Sequence, residues 1–329
     1  MARFIAKRII YTLITIWLIS VASFFIIQLP PGDFVSVLMA QAEAEGEQLQ
    51  SHQIEALRER YSLDQPFPVQ YWAWVSGIVT EGDFGYSFQW HRPAAELIWD
   101  RMAYTVLLAL TSLIFTWIMA LGIGVYSAVR RYGVGDYVAT TIGFVGLSVP
   151  NFVLALTFMY IAFRYFGQSV GGLFSAEYVD APWSWGRLMD LGSNLIIPVM
   201  IIGTAGTAGL IRITRANLID QLHFPYTIAA RARGLPERVL LIRYPVRAAL
   251  NPFVSTIGWA IPSIVSGEVI VSVVLSLPTT GPLLLNSLRN QDMYLAGSFV
   301  LLLGVLTVIG TAISDVLLAW LDPRIRKNQ

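Results

Sequence analysis

The chain has 329 residues, of which 55% are hydrophobic and 13% charged, and its formal net charge is +1. With a mean hydropathy of +0.61, this composition excludes an ordinary soluble domain and predicts an all-α, polytopic membrane protein. The absence of cysteine excludes disulfides, thiolate metal sites and cysteine nucleophiles. The three histidines are far apart in sequence, so we expect no metal site.

Six apolar segments are long enough to cross a bilayer, which takes about 20 residues of helix. The fourth is the least hydrophobic, but glycine recurs in it at Gly203, Gly206 and Gly209, a spacing that lets helices approach closely within a bundle. Pro150 and Pro262 can break or bend the third and fifth segments, although prolines also kink membrane helices for packing alone. The six predicted spans lie near residues 9–29, 104–128, 138–166, 194–211, 253–276 and 295–320.

Arginine and lysine set the orientation of these spans. Arg3, Lys7 and Arg8 precede the first span, which predicts a cytoplasmic N-terminus within segment 1–29. Alternation then puts 129–137, 212–252 and the tail 321–329 inside, together with most of the 22 basic residues, as cytoplasmic loops require. We therefore expect a multi-pass protein of the cell (inner) membrane with both termini cytoplasmic and a transmembrane core over 104–320.

An outer segment, 30–103, separates the first two spans and is too long for a simple hairpin. Within it, 53–61 is typical of a short amphipathic helix. Two interpretations of its aromatic run stay open: the rings rest at the membrane interface, or they form the core of a small folded cap. The run comprises Tyr71, Trp72, Trp74, Phe84, Tyr86, Phe88 and Trp90.

The loop 212–252 carries seven arginines against only Asp220 and Glu237. Short loops this rich in arginine stay on the cytoplasmic side. A loop that only returned the chain across the bilayer would not need the helical, small-residue spacing from Ala229 and Ala230 to Gly234. We therefore predict that this loop is a docking element for a protein partner in the cytoplasm.

Motifs for chemistry are absent from the sequence. There is no G-x-x-x-x-G-K-[ST] for nucleotide hydrolysis and no G-x-S-x-G or H-E-x-x-H, so we do not expect an enzyme. Nucleic acid is not an expected partner either, because the basic residues flank membrane spans. Membrane lipid, by contrast, is an expected partner.

Two carboxylates fall within predicted spans, Glu268 and Asp315, and intramembrane carboxylates are candidates for function. Glu268 can line an aqueous cavity, relay protons or form a structural hydrogen bond to a neighbouring helix or subunit, and cavity lining is the favoured interpretation. Asp315 is expected to be structural, pairing with an arginine. The candidate translocation path comprises Asn151, Pro262, Ser263, Glu268 and Ser272.

The order and spacing of several motifs give the chain a family likeness over nearly its whole length. The stretch Tyr226-Thr-Ile-Ala229-Ala230-Arg-Ala-Arg-Gly234-Leu resembles the "EAA" loop of binding-protein-dependent ABC importer permeases, in their dipeptide/oligopeptide/nickel branch. Further motifs similar to that branch are Pro31-Gly32-Asp33, Leu63-Asp-Gln-Pro66, Gly82-Asp-Phe-Gly85-Tyr-Ser87, Ser148-Val-Pro150-x-Phe152 and Asp322-Pro-Arg-Ile-Arg326.

The resemblance implies a type I ABC importer permease fold and a set of partners. These are a second homologous permease, two ABC ATPase subunits or domains that bind ATP and Mg, and an external solute-binding protein; no cofactor is implied in this chain. The loop would form a coupling helix over roughly Leu222 to Gly234 that sits in a groove of the ATPase. The implied coupling residues are Tyr226, Ala229, Ala230, Arg231, Arg233, Gly234 and Leu235.

The sequence departs from the family pattern at a few positions. Ile228 stands in place of the name-giving glutamate, and Tyr244 in place of a usual histidine. Peptides are the default substrate of this branch, but oligosaccharides, opines and nickel chelates are alternatives. A less favoured hypothesis is a proton-coupled secondary transporter that uses Glu268.

Overall fold

The fold is known from a computed structural model that describes residues 2–29, 64–87, 89–166, 171–250, 252–256 and 269–321, with isolated residues between 39 and 59. The larger helices are α1 (Ala2–Ile27), α2 (Phe67–Glu81), α3 (Ala94–Val129), α4 (Val134–Ser148), α5 (Asn151–Phe166) and α6 (Trp185–Leu222). They are followed by α7 (Pro225–Ala232), α8 (Glu237–Arg243), α9 (Pro245–Ala249), α10 (Thr280–Arg289) and α11 (Met293–Leu321). Strands β1 (Tyr86–Ser87) and β2 (Arg92–Pro93) form a small antiparallel hairpin with Ser87 opposite Arg92.

Within the described ranges, four helices are long and apolar enough to cross a bilayer: α1, α3, α6 and α11. They confirm the first, second, fourth and sixth predicted spans, and α6 is indeed the least hydrophobic of them. All four are longer than predicted, α3 and α6 by the most. Helix α3 begins at Ala94 instead of near residue 104, and α6 runs from Trp185 to Leu222 instead of from 194 to 211.

The third predicted span, 138–166, consists of two helices. Helix α4 ends at Ser148 and α5 begins at Asn151. Between them Pro150 has no amide hydrogen to donate, and its ring disfavours helical backbone at Val149. Its own carbonyl accepts from the amides of Val153 (2.9 Å) and Leu154 (3.2 Å), so Pro150 starts the second helix. The break that the sequence predicted at this proline is confirmed.

Several predicted features lie outside the described residues. Most of the fifth predicted span is among them, although residues 252–256 and 269–274 at its two ends are helical. Pro262, Ser263 and Glu268 lie in its undescribed middle. Most of the amphipathic segment 53–61 and the tail 322–329 are likewise outside the described ranges.

Helices α3 and α6 form the most extensive helix pair and pack through small residues. A side chain on Gly203 would meet the Phe115 ring at 2.5 Å, and one on Gly206 would meet the Thr116 methyl at 3.3 Å. Thr116 also donates its hydroxyl to the Gly203 carbonyl at 3.0 Å. Gly209, by contrast, faces open space. The predicted close approach is therefore confirmed for two of the three glycines.

Helix α1 packs along α11, where Gly304 accommodates Ile19 of α1. Arg8 and Asp315 form an ion pair between the two helices, which confirms the prediction that Asp315 pairs with an arginine. An intramembrane carboxylate is stabilised by such a partner, so Asp315 has a structural role.

The aromatic run of the outer segment contains both buried and exposed rings. Trp74 and Phe84 are buried, and Trp74 lies in a ring cluster with Phe24 of α1 at a centroid distance of 5.5 Å. Trp72, on the same helix, is 70% exposed. The described part of this segment thus has an aromatic core against α1 and also presents aromatic surface outward.

Candidate coupling site

The predicted coupling helix is present as α7, a short helix that follows directly on α6. Pro225 occupies its first turn, where a missing amide hydrogen costs nothing. Its end is set by Gly234, which has φ +76°, a left-handed conformation that favours glycine after a helix. The helix is shorter than the predicted 222–234, because Leu222 still belongs to α6 and His223 and Phe224 form the turn.

Two side chains of α7 fix its position against the end of α6. Thr227 is fully buried and donates its hydroxyl to the Gln221 carbonyl at 2.8 Å. The Tyr226 hydroxyl donates to the side-chain oxygen of Gln221. Since buried hydroxyls are rarely left without a partner, these bonds define one orientation of the short helix relative to the long one.

The helix α7 has an inner and an outer face. Thr227 and Ala230 lie on the inner face, where Ala230 is 5% exposed. Ile228 is 55% exposed, and Ala229 lies beside it on the outer face. The sequence assigned both alanines to close approach by the partner, but the structure places Ala230 against the chain itself and leaves Ala229 accessible.

The charges of the loop are partly engaged within the chain. Arg231 binds Glu237 of α8 at 2.6 Å, and its hydrogen bond lowers the pKa of the Glu237 carboxyl. Arg233 is exposed and has no ion pair with any described residue. Of the two predicted coupling arginines, Arg233 is thus the one whose charge is available to an acidic surface, while Leu235 is half-buried behind it.

An aromatic cluster supports the loop from one side. The Phe224 and Tyr226 rings stack at 5.7 Å between centroids, and Tyr226 contacts Tyr244 at 6.1 Å. Tyr244 is one of the positions at which the sequence departs from the family pattern. The Tyr244 ring contacts Tyr226, so it extends the aromatic cluster to the turn after α8.

A buried carboxylate joins the helices above this site. Asp136, at the start of α4, accepts two hydrogen bonds from Arg215 of α6 at 2.9 and 2.8 Å, and it also accepts the Ser127 hydroxyl of α3 and the Tyr132 amide. The Arg215 guanidinium, followed by Ser127 and Tyr132, holds the pKa of the Asp136 carboxyl well below its usual range despite burial. Because a bidentate arginine pair is strong and directional, this cluster connects three helices.

Sequence reasoning missed Thr227, Gln221 and the Asp136–Arg215 pair. The last two residues are 79 positions apart, and no local periodicity reports such a contact. Thr227 lay inside the recognised motif, but its burial depends on where α7 sits against α6. Nothing in the sequence around Thr227 indicates that its side chain is buried.

Two of the five candidate translocation residues, Asn151 and Ser272, lie in the described part of the chain. Asn151 is half-buried at the first turn of α5. Ser272 is fully buried beside a core cluster that includes Val271 and Leu275. The other three path residues lie outside the described residues, so the path remains a prediction.

Known proteins are similar to this chain in sequence over nearly its whole length. A family described as "Binding-protein-dependent transport system inner membrane component" matches residues 120–327, and the N-terminal domain of such membrane components matches residues 1–109. The chain is 33% identical to the oligopeptide transport system permease protein AppB of Bacillus subtilis, with 99% of each chain covered. It is 30% identical to the glutathione transport system permease protein GsiC of Escherichia coli K12 (99% of each) and 29% identical to the oligopeptide transport system permease protein OppB of Haemophilus influenzae (99% and 100%). The chain therefore belongs to the family of binding-protein-dependent transport system inner membrane components, and it is a permease subunit of an ABC importer.

Proposed function

We propose that this permease subunit carries peptides across the inner membrane and that α7 couples it to a separate ATP-hydrolysing subunit. The substrate class is supported by the relatives, whose names specify oligopeptides and glutathione. External binding proteins commonly select the solute in such systems, so this chain supplies the path. A second homologous permease would complete the path, and both termini would be cytoplasmic.

The coupling proposal rests on the difference between the buried inner face and the exposed outer face of α7. Its inner face is bonded to α6 through Thr227 and Tyr226, while Ile228 and Ala229 are directed outward. A short helix with a small residue at its exposed centre is suited to a groove on a partner. Since the sequence contains no P-loop, the energy for transport would enter through this contact.

Ala229→Asp tests the coupling proposal in the complete complex. The substitution adds charge and bulk to the outer face without touching the bonds to α6. We expect a normally inserted permease that no longer co-purifies with its ATPase and no longer supports ATP-driven uptake in proteoliposomes. Val239→Asp is the matched control, because Val239 is also an exposed apolar residue of the cytoplasmic loop but lies on α8.

Two results would contradict the coupling proposal. Wild-type uptake by Ala229→Asp would show that α7 is not the docking helix. Equal losses in Ala229→Asp and Val239→Asp would attribute the effect to added charge anywhere in the loop. The substrate is tested separately: an intact ATPase complex that fails to import any labelled di- to pentapeptide would overturn the peptide assignment and leave the coupling role standing.

A further inference from the structure

A cavity of about 310 Å³ lies between the cytoplasmic halves of α4 and α6. The lining residues that the structure describes belong neither to the coupling helix nor to the candidate translocation residues. The lining residues on α4 lie on one helix face between Asp136 and Gly143. Those on α6 lie on one face between Ala208 and Ala216. The cavity is therefore a groove between two facing helices.

Small residues close the groove at its membrane end. A side chain on Gly143 would meet the Ala208 side chain at 3.7 Å, and one on Gly146 would meet the Thr204 methyl at 3.1 Å. The helices thus approach each other closely at this level. Elsewhere in the groove Ala139 and Ile211 give the walls an apolar character.

One positive charge in the groove is not neutralised. Arg215 is paired with Asp136, whereas Arg212 is exposed and has no hydrogen bond or ion pair with any residue in the described ranges. The hydroxyl-bearing Tyr132 and Tyr137 lie at the rim, and Arg131 stacks over the Tyr132 ring at 4.5 Å. The open end of the groove therefore offers a guanidinium and phenol hydroxyls, which are donors suited to a phosphate.

We propose that this groove binds the headgroup of an anionic phospholipid from the inner leaflet. Basic pockets between membrane helices on the cytoplasmic side recognise such headgroups, and Arg212 lies directly after the fourth predicted span. The volume suits a phosphate and glycerol backbone, not a whole lipid. The acyl chains would run along the adjoining outer surface of α4, where Val138 and Ile142 are 51% and 65% exposed. A free phosphate has no apolar part that could contact these side chains.

Native mass spectrometry of the purified complex in nanodiscs with equal phosphatidylglycerol and phosphatidylcholine tests the site. We expect the wild type to retain phosphatidylglycerol and Arg212→Gln to retain about fivefold less, the effect of one arginine near a lipid surface. Arg247→Gln is the control, because it removes an exposed cytoplasmic arginine outside the groove and should retain the wild-type amount. Thr140→Trp, which fills the groove and leaves its charges intact, should reproduce the loss.

A photoreactive residue in place of Thr140 identifies the occupant directly. An adduct with phosphatidylglycerol is expected. An adduct with the second permease would overturn the proposal and make the groove a subunit interface, and displacement of the lipid by millimolar inorganic phosphate would make it a site for free phosphate. Equal lipid retention in Arg212→Gln and the wild type would also overturn it.

Discussion

The two ends of the helical bundle are each joined by a buried aspartate, but in different ways. At the end predicted to be cytoplasmic, Asp136 is paired with Arg215 across α4 and α6. At the end predicted to be outside, Asp292, just before α11, accepts the Ser87 hydroxyl of the β1–β2 hairpin. No cation among the described residues pairs with it, and one of its carboxylate oxygens is buried without a partner.

The difference appears in the pKa values of the two carboxyls. The Arg215 guanidinium lowers the pKa of Asp136, while burial raises that of Asp292. The inner junction is therefore an ion pair that stays charged at physiological pH. The outer junction has a neutral donor, the Ser87 hydroxyl, and burial disfavours the charged form of its carboxyl. Coupling to an ATPase would need the former, since it has to transmit force, whereas the outer end has only to hold the hairpin against α11.

Asp136→Asn should lower stability more than any change at the outer junction. It leaves Arg215 without its carboxylate, and breaking a buried pair costs roughly 3–5 kcal/mol. We expect about 3 kcal/mol, the lower end of that range, because Arg215 keeps partial access to solvent. Differential scanning fluorimetry of the purified complex should show a lowered melting temperature. If the double variant Asp136→Asn/Arg215→Gln were no more stable than the single one, the uncompensated Arg215 charge would not be the source of the loss.

The sequence predicted the features that depend on neighbouring residues and missed the contacts between residues far apart in the chain. Hydropathy alone placed four spans, Pro150 located the break in the third, and the spacing from Ala229 to Gly234 located α7. Each of those features is local. Asp292 and Ser87 are 205 positions apart, and nothing in either neighbourhood marks them as partners. The inward direction of Ala230 was equally hidden, because it depends on how α7 sits on α6.

Gly85→Ala tests the outer junction by packing instead of charge. Gly85 has φ +94°, and a side chain there would meet the Tyr294 ring at 2.7 Å. Strain of this kind costs on the order of 1–3 kcal/mol, and we expect about 2 kcal/mol, because both backbone and packing are affected. Hydrogen exchange of residues 82–93 should rise, with the inner helices unchanged.

Gly82→Ala is the control for that experiment. Gly82 also has a positive φ, +67°, but nothing lies within 4 Å of the added carbon. The cost should therefore be the backbone term alone, about 1 kcal/mol. Equal exchange in the two variants would mean that contact with Tyr294 does not hold the hairpin.

Thr227→Val tests whether the inner junction extends to the coupling helix. The change keeps the shape of the buried side chain and removes its bond to the Gln221 carbonyl, at a cost of about 1 kcal/mol. We expect ATP hydrolysis by the complex to continue with reduced uptake per ATP, because α7 stays docked but no longer moves rigidly with α6. Thr227→Ser retains the hydroxyl and should transport normally. An unchanged transport stoichiometry in Thr227→Val would confine the rigid junction to Asp136 and Arg215.

The smallest effect, and the one specific to the outer junction, is its dependence on pH. The pKa of Asp292 is raised in the folded state above its ordinary value of 3.8, so the folded state binds the proton more tightly than the unfolded state. The resulting stabilisation is complete below about pH 3.8 and is lost as pH rises through the higher folded value. For Asp136 the sign is opposite, because its stabilisation is lost only as pH falls below 3.8 toward its lowered folded pKa. The protection factors of the amides at 82–93, which correct for the intrinsic pH dependence of exchange, should therefore be higher at pH 4 than at pH 7, while those around Asp136 change little. Asp292→Asn should abolish that change, and a hairpin equally protected at both pH values in the wild type would show that Asp292 does not titrate there.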